Sequence, residues 1–303
     1  MRSSGYRQFA RLDAKFFPAL TGCFRGPIFR EILSRGCSTY LRATFFEAGV
    51  IKALGPDAAI EDGLFLVFNN LRHYHRSDYV YRAAIASKLF LGRHSPNSTT
   101  LLPELRVDTC KADLVMLNGT SSVYEIKTER DKIDRLSSQL VAYLRMFDRI
   151  HVVTDEKHLR SVQRIAPDEV GILLLTSQFT IREFRPAKSN LLNVDCGVIF
   201  DTFRKEEWIE ATRELCGKIP DVRPLELFDA CRDQFIRVRP SDAHNIMVKI
   251  LKRRRQIRKS DFIEIPDYLA AAFVESAVPP KDWGKLRLRI SSISLADLEN
   301  DRL

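Results

Sequence analysis

The chain has no run of about 18 apolar residues, so it offers no helical membrane span. Its N-terminus lacks the basic segment, apolar stretch and small-residue cleavage site of a secretory leader. Both absences lead to an expected place in the cytoplasm, with no membrane partner. Cys23, Cys37, Cys110, Cys196, Cys216 and Cys231 form no C-x-x-C pair and no His/Cys cluster at zinc spacing. Reduced thiols are expected there, and structural zinc is not. No internal repeat and no long low-complexity linker divides the sequence. What is present is 303 residues with 45% hydrophobic content, enough to build a sizeable core. The formal net charge of +9 suits a polyanionic partner such as nucleic acid, although basic proteins without one are also common.

Residues 1 to 76 read as a helical N-terminal region, with apolar positions at helical spacing in Ile28, Phe29, Ile32 and Leu33 and again from Tyr40 to Ala48. Pro18, Gly22, Gly26 and Pro27 interrupt any longer helix before that. Ser77 is a plausible N-cap for a helix reaching about Leu91. Three strand-like runs follow, Thr99 to Val107, Ala112 to Leu117 and Ser122 to Thr128, and Pro103 makes the first an edge strand or an interrupted one. Then come a helix to about Phe147, a strand at Ile150 to Thr154, a helix at Glu156 to Ile165, and strands at Val170 to Leu175 and Phe179 to Phe184. This order predicts an α/β fold, a mixed sheet flanked by helices over residues 77 to 187. Residues 188 to 303 are expected to form a helical C-terminal region, clearest at Phe200 to Cys216 and Pro224 to Phe235, with a basic run from Lys249 to Lys259.

The chemistry lies between Lys111 and Lys127. Asn118-Gly119 is a strong hairpin signal joining two short strands. Side chains alternate along a strand, so Glu125 and Lys127 share one face while Tyr124 and Ile126 take the other. Asp113 is expected to share a face with Val115 and Leu117 on the neighbouring strand. Two converging carboxylates repel, and a hard divalent cation resolves the repulsion. Oxygen ligands suit Mg²⁺ or Mn²⁺, completed by water and phosphate. A lysine beside such an ion stabilises charge developing on a phosphate. These residue types suit hydrolysis of a phosphodiester. In the following helix Gln139 and Tyr143 lie on one face, with Arg135 a turn earlier.

The arrangement D-x11-E-x-K on consecutive strands resembles the PD-(D/E)XK nuclease superfamily, and the Q-x-x-x-Y spacing of Gln139 and Tyr143 resembles its RecB-like branch. Ala112 stands where the superfamily's name has proline. Within the superfamily, Lys-Ala-Asp, Leu-Asn-Gly-Thr-Ser, Val-Tyr-Glu-Ile-Lys and Phe147-Asp148 resemble an uncharacterised bacterial family over roughly residues 78 to 185. The resemblance implies a restriction-endonuclease-like fold and a Mg²⁺- or Mn²⁺-dependent nuclease, with Asp113 and Glu125 as metal ligands and Lys127, Gln139 and Tyr143 completing the site. It also suggests a fourth acid, for which Asp78 and Glu104 compete, or no fourth ligand at all. DNA is the expected substrate, in a defence, mobile-element or repair setting. RNA, or a catalytically silent binding or interaction module on the same fold, stays open.

Blander readings stand beside these. Asp113, Glu125 and Lys127 also suit a structural ion-pair cluster, and Gln139 and Tyr143 a helix that merely covers the sheet. Asp108, Asp131 and Asp134 read as turn or helix-start residues. His73, His75, His94 and His151 read as surface or core residues, and His158 and His244 carry no reading. Lys252, Arg253, Arg254 and Arg255 in the basic run form either a solvated helix face or a track for phosphates. Arg82, Lys88, Arg93 and Arg135 are further candidates for the same groove.

Overall fold

The computed structural model describes residues 10–92, 99–254, 262 and 265–299. Six helices come first: α1 (Phe17–Gly22), α2 (Gly26–Arg35), α3 (Thr39–Glu47), α4 (Val50–Leu54), α5 (Ile60–Tyr74) and α6 (Asp78–Ala84). A π-helical stretch, Ile85–Leu91, continues from α6. The sheet unit holds β1 (Thr100–Val107), β2 (Cys110–Asn118), β3 (Thr120–Ile126), α7 (Leu136–Leu144), β4 (Arg149–Thr154), α8 (Glu156–Ile165), β5 (Gly171–Leu175) and β6 (Ile181–Arg185). Four helices follow it, α9 (Cys196–Asp201), α10 (Lys205–Cys216), α11 (Leu227–Phe235) and α12 (Pro240–Arg253), and then α13 (Ala270–Glu275), α14 (Trp283–Ser292) and α15 (Leu295–Glu299).

The fold is mixed α/β, a six-stranded sheet flanked by helices, with helical regions at both ends of the chain. Strand order is β1-β2-β3-β4-β5-β6. β1, β2 and β3 form an antiparallel meander, β4 and β5 add in parallel, and β6 returns antiparallel. The parallel pairs need crossovers, and α7 and α8 supply them. Gly119, with φ +69°, turns β2 back into β3, and Asn118 pairs with Thr120 across it. β1 lies at the sheet edge, where Pro103 is tolerated.

Contacts divide the chain into two units whose boundaries differ from the expected 1–76, 77–187 and 188–303. One holds Met1–Ser87 with Lys259–Leu303, the other Lys88–Arg258. The reason is apolar packing. Phe200, Trp208, Phe235, Ile246 and Met247, from α9 to α12, belong to the same buried cluster as Val115, Ile150 and Val152 of the sheet. In the other unit Phe273 packs edge-on to Phe29 at 5.8 Å, Tyr79 donates to the Tyr268 carbonyl at 2.6 Å, and Arg287 pairs with Glu61 at 2.6 Å.

Two helices also depart from expectation. The predicted Phe200–Cys216 helix is broken at Thr202, whose carbonyl accepts from Arg254 at 3.0 Å, and α10 restarts as Glu207 accepts the Arg204 N–H at 2.7 Å. The predicted Ser77–Leu91 helix changes to π geometry at Ile85, and no side-chain cap bond forms at Ser77. Ile85 and Leu89 are buried in π geometry, as an α-helix with that stripe would also leave them, so the apolar pattern does not distinguish the two. Among the described residues no helix is long and apolar enough to cross a membrane.

His151 of β4 yields a pH prediction. Its ring stacks on Tyr124 at 4.9 Å, and its Nδ1 is buried with no hydrogen-bond partner found. Burial pushes its pKa down to about 4, with Arg149 acting in the same direction. The unfolded chain takes up a proton near the ordinary 6.5, so this contribution to stability is complete above pH 6.5 and is lost as pH falls towards 4. The loss is at most about 3 kcal/mol, reduced by the ring's partial exposure. Chemical denaturation at stepped pH should show it, and His151→Phe should flatten that segment of the profile.

Candidate active site

The pairing of the meander brings the acids together. Leu114 pairs with Tyr124 on β3, which leaves Asp113 and Glu125 as the next residues along their strands. On the other side Pro103 pairs with Leu114 and Leu105 with Ala112, so Glu104 lies opposite Asp113. Strict alternation also fails at this row. Leu102, Leu105 and Val107 of β1, and Ala112, Val115 and Leu117 of β2, all belong to one buried cluster. The faces therefore exchange at Glu104, which adopts φ +56°, and beside Asp113. Asp113 does not simply continue the Val115 and Leu117 face; its Oδ2 accepts the Ile126 N–H at 2.8 Å.

Glu125 is 2% exposed, and three side chains donate to it. Lys127 Nζ reaches Oε1 at 2.7 Å, Gln139 Nε2 reaches Oε1 at 2.6 Å, and Tyr143 OH reaches Oε2 at 2.7 Å. Lys127 Nζ also donates to Gln139 Oε1 at 2.9 Å. A buried carboxylate is tolerable only when paired and hydrogen-bonded, and here both conditions hold. Lys127 is fixed from behind as well: its N–H donates to the Val153 carbonyl at 2.9 Å, and its own carbonyl accepts from Thr154 at 2.8 Å. The sequence predicts this grouping of Asp113, Glu125, Lys127, Gln139 and Tyr143, and the structure brings the five together.

α7 presents Gln139 and Tyr143 because its other positions are apolar and dock on the sheet. Leu136, Leu140 and, just beyond the helix, Phe147 are fully buried. Burial, and then the Glu125 charge, push the Tyr143 phenol well above its usual range, so it stays protonated and donating. Tyr143→Phe removes one donor to a buried charge and is expected to cost about 2 kcal/mol in urea denaturation. Arg135 precedes α7 as an exposed N-cap residue, outside the Glu125 hydrogen-bond set.

The competing fourth acids sit in different settings. Asp78 begins α6 in the other unit, its carboxylate 3.5 Å from Arg82. Glu104 is in the row of the site, exposed and paired with Lys111 at 2.7 Å. Among the described residues no group of three His, Cys, Asp or Glu side chains is placed to hold a metal by itself. The donor chemistry at Asp113 and Glu125 still fits Mg²⁺ or Mn²⁺, which take one or two carboxylates and leave their other positions to water and phosphate.

Of the described basic candidates, Arg82, Arg253 and Arg254 are paired with acids. Arg82 is largely buried and pairs with Asp78 and, at 3.3 Å, with Glu275. Lys88 Nζ lies 5.5 Å from the Phe179 ring centroid. α12 zips onto the acidic stripe of α10: Lys249 pairs with Glu214 at 2.7 Å, Arg253 with Glu210 and Arg254 with Glu207. The Lys252 carbonyl accepts from Thr100 at 3.4 Å. The described part of the run is a surface face, with Lys249 and Arg253 about half exposed, on which three cations are paired with acids of α10. Arg93, His94 and Arg255 lie outside the described residues.

One polar cluster has no counterpart in the sequence reading. Ser121 Oγ lies 2.7 Å from Nε2 of buried His244 on α12 and accepts the Asp148 N–H at 3.1 Å. The Asp148 carboxylate accepts from Thr120 at 2.7 Å, from the Asn190 N–H at 3.1 Å and from Ser189. Burial pushes this carboxyl up, but the bonds from Ser189, Thr120 and Asn190 outweigh it and hold the pKa below its ordinary value. The cluster ties β3, the α7–β4 turn, the segment after β6 and α12 together. Thr120, Ser121 and Asp148 were legible as part of the Leu-Asn-Gly-Thr-Ser and Phe147-Asp148 resemblance, without a role, and His244 was not.

A solved structure of a protein of unknown function from Silicibacter pomeroyi is similar over 36% of this chain and 70% of that chain, at 18% identity and a TM-score of 0.28. A likeness at that level bears on neither fold nor function. No curated protein matches the chain. A family model described as bacteriophage P4 protein cII matches residues 72–282, a span that takes in the whole sheet and α7 to α13. The chain belongs to the bacteriophage P4 protein cII family.

Proposed function

We propose that this protein is a metal-dependent nuclease of PD-(D/E)XK type that hydrolyses phosphodiester bonds, with DNA as substrate. The observation that supports the reading is the convergence on Glu125 of Lys127, Gln139 and Tyr143, with Asp113 next to it across the β2–β3 pair. Burial alone requires that this carboxylate be paired and hydrogen-bonded, but it does not call for a second carboxylate, Asp113, opposite it in the β2–β3 register.

Asp113 and Glu125 would hold a Mg²⁺ or Mn²⁺ ion, which when bound supplies Lewis-acid activation of water and phosphate. Tyr143 and Gln139 hold the Glu125 carboxylate in place. Of the three donors on the Lys127 ammonium, Glu125 and Gln139 take one each, and the third can meet an oxygen of the phosphate. There its charge offsets the negative charge that grows as a water oxygen bonds to phosphorus and the bond to the leaving oxygen breaks. The phage name of the family suits a mobile-element setting, and a cytoplasmic location goes with the reading.

A silent binding module is the second reading. It is favoured by one observation, that both oxygens of Glu125 already accept hydrogen bonds, from Lys127, Gln139 and Tyr143. Incubating the protein with linear, circular and single-stranded DNA and with RNA, in Mg²⁺, Mn²⁺ or EDTA, separates the two. Cleavage of DNA in either metal and none in EDTA is the expected result. Tight binding with no cleavage of any form would favour the module.

A further inference from the structure

A cleft of about 490 Å³ opens along the edge strand β1, in the unit that carries the candidate site. Its lining includes Glu104, Leu105, Arg106, Arg145, Val198 and Arg254. The volume falls within the roughly 300–1,000 Å³ range of sites for small molecules. Glu104 is also the residue opposite Asp113 in the β1–β2 register, so the cleft begins where the candidate site ends.

The charges around the cleft are unevenly satisfied. Every acid that lines it is paired: Glu104 with Lys111 at 2.7 Å, Asp108 with Arg145 at 3.4 Å, and Asp201 with Arg232 at 2.8 Å. Arg145 is further fixed by Asp195 at 2.8 Å and Arg254 by Glu207. These two guanidiniums are pre-set planes, a surface on which an unstacked base can lie. Arg106 is exposed, and no ion-pair partner for it is found among the described residues. Leu105 and Val198, both buried, give the cleft an apolar floor.

We infer that this cleft is a subsite for single-stranded nucleic acid, which rests on the nuclease reading: it seats a nucleotide flanking the scissile phosphate, with Arg106 on the backbone phosphate. The bases of an intact duplex are paired and stacked inside it, so only an unpaired base can enter a space of this size. The substrate is therefore a single-stranded stretch or a frayed strand end rather than an intact double helix. Arg106 is a positioning residue, and its contribution is electrostatic.

Fluorescence anisotropy in EDTA tests this without requiring turnover. The probes are a labelled oligothymidylate of about 12 nucleotides and a blunt duplex of similar length. Arg106→Ala should weaken binding of the single strand by about 5-fold or more, lower the salt slope by about one and leave the duplex almost unaffected, and Arg106→Glu should weaken it further. Circular dichroism checks that both variants are folded, as expected for an exposed edge-strand side chain. Unchanged single-strand binding by Arg106→Glu, or binding of the wild type to the duplex alone, would overturn the inference. Single-strand binding that depends on Arg106 in a protein that cleaves nothing in Mg²⁺ or Mn²⁺ would support the subsite while sinking the nuclease reading.

Discussion

Glu125→Ala and Lys127→Ala are each expected to lower metal-dependent DNA cleavage by about a thousandfold or more, the scale seen when a charged group aimed at the reacting centre is removed. Lys127→Ala also leaves the Glu125 carboxylate, 2% exposed, without its counter-ion. Breaking a buried pair from one side costs about 3–5 kcal/mol, so lost activity alone would be ambiguous. Lys127→Gln removes the ammonium while keeping a donor towards Glu125 and Gln139, and it should remain folded by near-ultraviolet circular dichroism. Cleavage by a folded Lys127→Gln variant at the wild-type rate would show that the lysine holds Glu125 in place without acting on phosphate. Glu125→Gln makes the same distinction for the acid, since the amide keeps an acceptor for Tyr143 but loses the charge that a metal needs.

Outside the candidate site, the largest expected effect on stability is at Asp148. Asp148→Ala strands the Thr120 and Ser189 hydroxyls and the Asn190 N–H, all of which donate to the carboxylate. An unpaired buried group costs about 1–3 kcal/mol, but only Asn190 is buried, Thr120 is half-buried and Ser189 is exposed to water, so a loss of about 3 kcal/mol is expected. Asp148→Asn keeps the shape and one acceptor and should cost about half as much. The pH dependence has a defined sign. The folded pKa is held below its ordinary value, so the contribution of Asp148 is present above the usual carboxylate range and is lost as pH falls through the folded value. Chemical denaturation at neutral pH and near pH 3 checks both: the difference between wild type and Asp148→Ala should shrink on acidification. An equal difference at both pH values would mean that the charge of Asp148 contributes nothing.

Which parts of this were legible in the sequence follows from distance along the chain. The hairpin is local: Gly119 marks the turn, period two places Glu125 and Lys127 on one face, and period 3.6 places Gln139 and Tyr143 on one face of the next helix. The five side chains are then joined by only short crossovers, and their meeting is readable. Ser121, Asp148 and His244 meet across 123 residues of sequence, and nothing local marks His244 as their partner. Glu104 was legible as an acid on an edge strand. Its positive φ and the exchange of faces around it depend on how β1 and β2 coil together, which period-two reasoning assumes away. The C-terminal helices posed a similar problem. Their amphipathic faces were visible, but that Phe200 and Met247 join the core of the sheet is decided by packing partners far away in sequence. The basic run showed its cations but not their partners for the same reason, because Glu207, Glu210 and Glu214 lie on a separate helix.

The most direct test of the central claim is one cleavage assay of wild type and Asp113→Asn on the same labelled DNA in Mn²⁺, with EDTA as control and folding of both proteins checked beforehand. The nuclease reading predicts cleavage by the wild type in Mn²⁺ alone and none by Asp113→Asn. Equal cleavage by the two proteins, or none by the wild type in any divalent metal, would contradict it.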